Sequence, residues 1–411
     1  MPKRLLFVDD EALVLNGLRR ALHGMRQEWN MNFVESAAAA LQALEQEAYD
    51  AIITDMRMPV MDGAQLLEQV KVRHPDIIRI VLSGQSSREA VFRSIAGAHQ
   101  FLLKPCDPQE LVTRLGQAFA MRDLLSNQTL KSVISRMPSI PTLPTLYHEL
   151  TAVLRLEDPS LVQIERIISK DVGMAAKILQ LANSAFIGAG GRVSNLLQAV
   201  SLIGTESVRT LVLSVHVFSH CDGDSGVAAY LPVLWDHSVA VASLAQRIAT
   251  SQRCTKVVTE ESFTAGLLHD IGKVVFLAEM ASKYREILGT DSASILALEL
   301  ERLGCTHPQV GAYLMSIWGL PVPLVHAVAF HHCPSETAES QFSSLTAVHA
   351  ADAIASSNVP SPLNRDIALD VRYLDRLGLR EREAFWISFH EEHVAAKAQG
   401  GSAERKALVR P

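Results

Sequence analysis

Near the start of the chain, acids, a hydroxyl and an amine sit at the ends of four short apolar runs. Leu5-Leu6-Phe7-Val8 ends in Asp9-Asp10, and Ala51-Ile52-Ile53-Thr54 ends in Asp55. Ile80-Val81-Leu82 ends in Ser83, and Phe101-Leu102-Leu103 ends in Lys104. This set suits phosphoryl transfer to a carboxylate. The acceptor must be an ionised Asp, and a divalent cation reconciles its charge with the incoming group. Magnesium takes oxygen ligands and keeps several waters, so two carboxylates and a backbone carbonyl suffice. Lys104 supplies a fixed positive charge and Ser83 a donor. A single Asp of this kind would read as an ordinary loop polar; the ordered set does not.

A second set combines imidazoles with carboxylates: His237, His269, Asp270, His307, His331, His332 and Asp352. These are ligands of iron, manganese and zinc. His269-Asp270 reads as an adjacent pair on one helix, with Asp270 able to bridge to a second ion. Lys273 follows three positions later on the same face, where an ammonium could meet a metal-held phosphate. Two metals ~3.5–4 Å apart are a device for phosphoester hydrolysis. The competing account is a satisfied polar network that organises a helical core.

The elements that must position these residues follow from periodicity. Helical patterns at Glu11–Gly24, Ala37–Glu47, Gly63–Lys71, Ser87–Ala96 and Pro108–Met121 alternate with the apolar strands. That predicts an α/β doubly wound five-stranded parallel sheet, covered on both faces, with ligands outside the carboxyl ends of its strands. From Asp107 to about Ser135 the pattern stays helical, a connector of roughly 40 Å. Three prolines in Met137–Pro144 break it. Beyond Pro144 helical periodicity dominates, including Val208–Phe218, and no strand is convincing. A softer boundary falls near Asn358–Pro362. The tail holds helical patterns near Asp370–Leu377 and Arg380–His393, and disorder is expected from Gly400.

The bulk numbers narrow the setting. At 411 residues, 48% hydrophobic and 20% charged, the chain should hold two or three globular domains. No apolar run reaches the ~18–20 residues of a membrane helix. The start runs directly into a strand, so no cleaved signal peptide is expected. Five scattered cysteines without a C-x-x-C pair fit a reducing cytoplasm. A net charge of −6 offers no global basic surface for nucleic acid.

Residues 4–121 resemble the receiver domain of two-component response regulators. The resemblance rests on Phe7-Val8-Asp9-Asp10-Glu11, Thr54-Asp55-Met56-Arg57-Met58-Pro59 through Asp62-Gly63, Leu82-Ser83-Gly84 and Phe101-Leu102-Leu103-Lys104-Pro105. It implies Asp55 as phospho-acceptor, with Asp10, Asp55 and the Arg57 carbonyl on Mg2+ and Asp9 acting through water. It also implies Ser83 and Phe101 as a switch pair, Lys104 as the phosphate-binding lysine and a cis Lys104-Pro105 peptide. Phe101 lacks a tyrosine hydroxyl, so its rotamers differ in burial alone.

Gly266-Leu267-Leu268-His269-Asp270-Ile271-Gly272-Lys273 is similar to the HD superfamily of metal-dependent phosphohydrolases. His307-Pro308-Gln309-Val310-Gly311 and His331-His332 resemble later ligand motifs of its HD-GYP branch, yet Cys333-Pro334-Ser335-Glu336 follows where Gly-Tyr-Pro would stand. Leu156–Pro159, Ile168–Asp171, Leu181–Phe186 and Ala199–Gly204 resemble the HDOD domain over about 131–355. That domain is treated as a signalling output, and many members have lost ligands that this chain keeps.

The architecture expected is a receiver (1–121), a connector helix (122–137), an all-α HD-type HDOD output domain (138–357) and a helical tail (358–411). A cognate sensor histidine kinase is the expected phosphodonor, with homodimerisation through the receiver and connector helix. One or two Fe, Mn or Zn ions are expected at the histidine set. Two outputs compete. One is a module that binds a partner protein or a nucleotide without chemistry. The other is a metal-dependent phosphodiesterase acting on a cyclic dinucleotide or other phosphoester, with Lys273 in its catalytic site. The missing Gly-Tyr-Pro favours the first; the retained ligands and Lys273 favour the second. No DNA contact or membrane insertion is expected. Gly188–Arg192 reads as a helix connector, Trp235, Trp318 and Trp386 as core, and Glu299, Glu301 and Arg302 as a solvated helix face.

Overall fold

The computed structural model describes residues 2–83, 97–125, 127–137, 141–142, 144–156, 159–183, 193–205, 208, 219–220, 229–290, 294–358, 361–363, 365 and 367–392. The expected helix Ser87–Ala96, nearly all of Val208–Phe218, the stretch Gly188–Arg192 and the tail from Gly400 lie outside the described residues, as does the Ser83 side chain.

The first body runs β1 (Lys3–Val8), α1 (Ala12–Ala21), β2 (Trp29–Val34), α2 (Ala37–Gln46), β3 (Ala51–Asp55), α3 (Gly63–Arg73), β4 (Ile78–Ser83), β5 (Gln100–Leu103) and α4 (Pro108–Leu124). All pairs are parallel, in the order β2-β1-β3-β4-β5. Every residue of β3 is buried, as befits a central strand covered on both faces. Val8 is level with Thr54 and Asp55 with Leu82, so the acids leave the sheet side by side at the β1/β3 crossover.

The single long connector is corrected to two helices. After α4, Leu125 is extended, and α5 (Gln128–Arg136) restarts behind Asn127. The Asn127 side chain accepts from Leu130 N, an N-cap that ends one helix and begins the next. Its amide also donates to Leu303 O at 2.8 Å. The turn carries Leu130 and Ile134 into the core. Burying that apolar stripe outweighs helix continuity.

The second body holds α6 (Pro144–Leu154), α7 (Leu161–Ile168), α8 (Val172–Ala182), α9 (Leu196–Ile203), α10 (Tyr230–Ser251), α11 (Lys256–Leu268), α12 (Ile271–Glu279), α13 (Ala281–Gly289), α14 (Ile295–Leu303), α15 (His307–Ile317), α16 (Val322–Phe330), α17 (Ser344–Asn358) and α18 (Val371–Arg376). One two-residue parallel ladder, β6 (Pro141–Thr142) with β7 (Ser219–His220), departs from the expected all-helical pattern. Helices α10, α11, α16 and α17 pack on one another, and α15 lies against α12, α16, α4 and α5. Thus α4 and α5, expected to carry a homodimer contact, pack against a helix of the same chain. Trp235, Trp318 and Trp386 are buried.

Two glycines let these helices meet backbone to backbone. A Cβ on Gly266 would lie 2.8 Å from Ala242 Cα on α10, and one on Gly272 would lie 2.0 Å from the His307 carbonyl oxygen. The string around His269-Asp270 therefore needs glycine on both sides for close approach. Gly272→Ala is expected to destabilise the protein by about 1–3 kcal/mol through overpacking. Gly17→Ala, inside α1 with open space around it, should stabilise by up to ~1 kcal/mol. Denaturant unfolding of the two variants checks the opposite signs.

Candidate functional site

At the carboxyl end of the sheet, Asp9 and Asp55 are buried and Asp10 is exposed. Lys104 Nζ reaches Asp9 Oδ2 at 2.6 Å and also pairs with Asp55 Oδ1. The remaining carboxylate oxygens accept backbone N–H groups: Asp9 Oδ1 from Glu11 at 2.9 Å and Asp55 Oδ2 from Arg57 at 2.8 Å. Burial works against the Lys104 charge, but the hydrogen bonds to Asp55 and Asp9 outweigh it and raise its pKa. The Lys104-Pro105 peptide is cis. Phe101 is buried on β5. A Cβ at Gly63 would lie 2.1 Å from Asp55 O, so glycine lets α3 start directly beneath the Asp55 strand end. This corner gathers the acids and the amine within reach of one small anion and its cation.

The second site is built from helix ends. His269 caps α11 and Asp270 precedes α12, with Asp270 at φ −97 and ψ 13. The pair therefore sits at a break between two helices, not on one helix as expected. The break turns both side chains inward. His307 opens α15, His331 closes α16 with His332 after it, His237 comes from mid-α10 and Asp352 from α17. All seven converge. Asp270, His307, His331 and His332 form one group of ligand atoms, and His237, His269 and Asp352 another, each within 4.8 Å.

Asp270 faces both groups. Its Oδ1 lies 3.2 Å from His307 Nε2 and 3.9 Å from His331 Nε2. Its Oδ2 lies 3.4 Å from His269 Nε2 and 3.9 Å from His237 Nε2. His237 Nε2 is 3.0 Å from Asp352 Oδ1. Lys273 Nζ donates to Asp270 Oδ2 at 2.7 Å and is fully buried.

The tautomers are set from behind. His269 Nδ1 lies 2.7 Å from Gly266 O, His331 Nδ1 2.8 Å from Val328 O, and His307 Nδ1 2.8 Å from Glu299 Oε2. Each Nδ1–H is donated backward, which leaves an Nε2 lone pair aimed at the centre. His269 Nε2, His331 Nε2, Asp270 Oδ1 and Asp352 Oδ2 are buried with no hydrogen-bond partner among the described residues. Orphaned acceptors converging in a buried centre fit a metal cation; in a satisfied polar network they would be paired. Asp270, Asp352 and Glu299 are buried against one buried ammonium, Lys273. Three buried carboxylates facing one another are what a cation among them would balance.

Without a cation the proton inventory adjusts. Burial opposes charge on His269, yet Asp270 and Asp352 outweigh it and raise its pKa to about 10. His331 is pushed down to about 3 by burial and by His269. Burial and the neighbouring His331 push His332 well below the usual range. Asp270 and Asp352 stay ionised despite burial, because His269 and Lys273 face the first, while His237 hydrogen-bonds the second and His269 faces it.

Glu299 is the functional residue that the sequence reading misplaced. It is fully buried, accepts His307 N at 2.8 Å as well as its imidazole, and takes the Tyr284 hydroxyl at 2.8 Å. Glu301 and Arg302 do face solvent. A signal existed: Glu299 lies four residues from both Ile295 and Leu303, on the buried stripe of α14.

A family model for the response regulator receiver domain matches residues 5–116, and one for the HDOD domain matches residues 140–334. An uncharacterized protein of Treponema pallidum (strain Nichols) is 29% identical over 217 residues, 51% of this chain and 41% of that one. The hydrogenase transcriptional regulatory protein HoxA of Cupriavidus necator is 35% identical over 122 residues, 29% of this chain and 25% of that one. The crystal structure of the MmoQ response regulator of Methylococcus capsulatus str. Bath matches at 26% identity and a TM-score of 0.47, over 61% of this chain and 98% of that one. The chain spans less than half the length of these two curated relatives.

The raised His269 pKa implies a proton held by the cation-free fold and not by the unfolded chain between pH 6.5 and about 10. Its stabilising contribution is complete below pH 6.5 and is lost as the pH rises toward about 10. Denaturant midpoints of metal-stripped protein should fall across that window, and less so in His269→Gln; equal slopes would contradict the assignment.

Proposed function

Because the chain belongs to the response regulators that join a receiver domain (5–116) to an HDOD domain (140–334), we propose that a histidine kinase phosphorylates Asp55 to control a metal-holding output module. Asp10, Asp55 and the Arg57 carbonyl hold Mg2+, with Asp9 acting through water. Lys104, already paired with Asp55, turns its ammonium to a phosphoryl oxygen. Ser83 and Phe101 report the modified state to the neighbouring surface. The setting is the cytoplasm; among the described residues no helix is long and apolar enough to cross a membrane.

His237, His269, Asp270, His307, His331, His332 and Asp352 hold one or two Fe, Mn or Zn ions. The observation that carries this is the convergence of orphaned Nε2 and carboxylate atoms on a buried excess of negative charge. A bound ion would supply Lewis-acid charge. The ligand side chains are nearly closed to solvent, His237 being the most open at 11%. Lys273 is engaged with Asp270, not presented to an incoming phosphate. Both features favour an output that recognises a partner protein or nucleotide on its surface and uses the metal to set its shape. The two-sided Asp270 carboxylate favours a second reading, a metal-dependent phosphodiesterase acting on a cyclic dinucleotide.

Metal analysis of purified full-length protein should find at least one transition ion per chain, lost in Asp270→Asn and His307→Ala. The metal-loaded protein should hydrolyse no cyclic dinucleotide. Turnover abolished by His269→Ala would replace the binding reading with the phosphodiesterase. Acetyl phosphate with Mg2+ should phosphorylate wild type and not Asp55→Asn, as read by intact mass.

A further inference from the structure

The helix that begins with the ligand His307 is gripped along its length by the receiver side of the chain. Near its end, Gln100 Nε2 of β5 donates to Ser316 O at 3.0 Å. Just beyond it, Arg114 Nη1 of α4 reaches Gly319 O at 3.5 Å. Between these points and His307, the Tyr313 hydroxyl lies 3.0 Å from Ser135 Oγ on α5. Ser135 is itself held by the receiver. Its carbonyl accepts Arg79 Nη2 at 2.5 Å and lies 2.8 Å from His99 Nε2. His99 Nδ1 accepts Arg79 N–H, so Nε2 carries the proton given to Ser135 O. Arg79 Nε donates to Gly97 O at 2.6 Å. Arg79, His99 and Ser135 are all buried.

Two features tie this contact to the two ends of the helix. Gln100 precedes Phe101 on the same strand, and neighbouring strand residues point to opposite faces. A shift of Phe101 toward the phosphorylation corner would pull on β5 and so disturb the Gln100 contact with α15. At the other end there is no slack: a Cβ on Gly311 would lie 3.2 Å from Gly272 N, and one on Gly272 2.0 Å from His307 O. Any sliding of α15 moves His307 relative to Asp270. The contact is also poised to open. Gln100 Oε1 and Gln180 Oε1 are buried there without a partner among the described residues, although each amide nitrogen donates across the junction. Opening would hydrate two acceptors that closure strands.

Resting on the two sites proposed above, we infer that phosphorylation at Asp55 and metal occupancy at the His/Asp cluster are thermodynamically coupled through α15. The closed junction holds His307 in place for the ion, so the unphosphorylated chain binds metal more tightly. Phosphorylation loosens the junction and weakens metal binding. By reciprocity, bound metal weakens phosphoryl-analogue binding by the same factor.

The test titrates metal-stripped full-length protein with Zn2+ against a chromophoric chelator, in Mg2+, with and without beryllofluoride. The expected result is an affinity at least about fivefold weaker with beryllofluoride, the lower end of ordinary coupling. In Gln100→Ala and Tyr313→Phe the two affinities should converge while both ligands still bind. Hydrogen exchange of wild type should quicken at 97–100 and 313–319 when beryllofluoride is added, a readout independent of any variant's folding. A wild-type chain that binds both ligands with unchanged affinities overturns the coupling and leaves both sites standing. A chain that binds no Zn2+, or no beryllofluoride, overturns the coupling together with the site reading beneath it.

Discussion

A buried surplus of negative charge governs the helical body. Asp270, Asp352 and Glu299 lie at the meeting point of helix ends, with Lys273 the ammonium set among them. Such charges are strongly unfavourable away from water unless matched by protons, ammonium groups or a cation. The surroundings are arranged for that match. The Nδ1 atoms of His269, His307 and His331 are occupied by backbone carbonyls or Glu299, so the inward nitrogens act as lone pairs. The helices that supply them can meet only because Gly266 and Gly272 lack a Cβ. Packing and electrostatics thus impose one demand at one place.

The receiver corner applies the same rule in a smaller form. Asp9 and Asp55 leave adjacent parallel strands, and Lys104 crosses from the end of β5 to pair with both. The ammonium stabilises two neighbouring carboxylates that would otherwise repel. Any added charge at Asp55 would redistribute those contacts, at the end of β3 where Asp55 sits and, through Lys104, at the end of β5.

Helix α15 runs from the histidine cluster to the receiver. Its first residue faces Asp270, and its last turn and the loop beyond are held by Gln100 and Arg114. A packed helix moves as a unit more readily than it bends, so contacts at its two ends are not independent. The connection runs sideways, through strand β5 and the start of the second body, rather than along one continuous connector helix. Asn127 ends that continuity by capping α5 and holding Leu303 O.

Much of this was legible from residue order. Apolar runs ending in acids or Lys104 identify parallel strands and their functional ends, because in such a sheet the loops at the carboxyl ends form the crevice. The seven converging His and Asp residues were likewise visible by type. What the chain alone did not disclose depends on distant neighbours: the helix break at His269-Asp270, the burial of Glu299 behind His307, and the capping of α5 by Asn127. Glu299 looks solvated in a run with Glu301 and Arg302, and only the approach of α15 to α14 makes it a partner for an imidazole. Local propensity and periodicity are properties of a few consecutive residues, so sequence determines the strands of the five-stranded sheet, most helices and the inventory of His and Asp residues at the cluster. The pairing of Gln100 with Ser316, 216 residues apart, and the direction of each imidazole are set by packing, so they exist only in the tertiary structure.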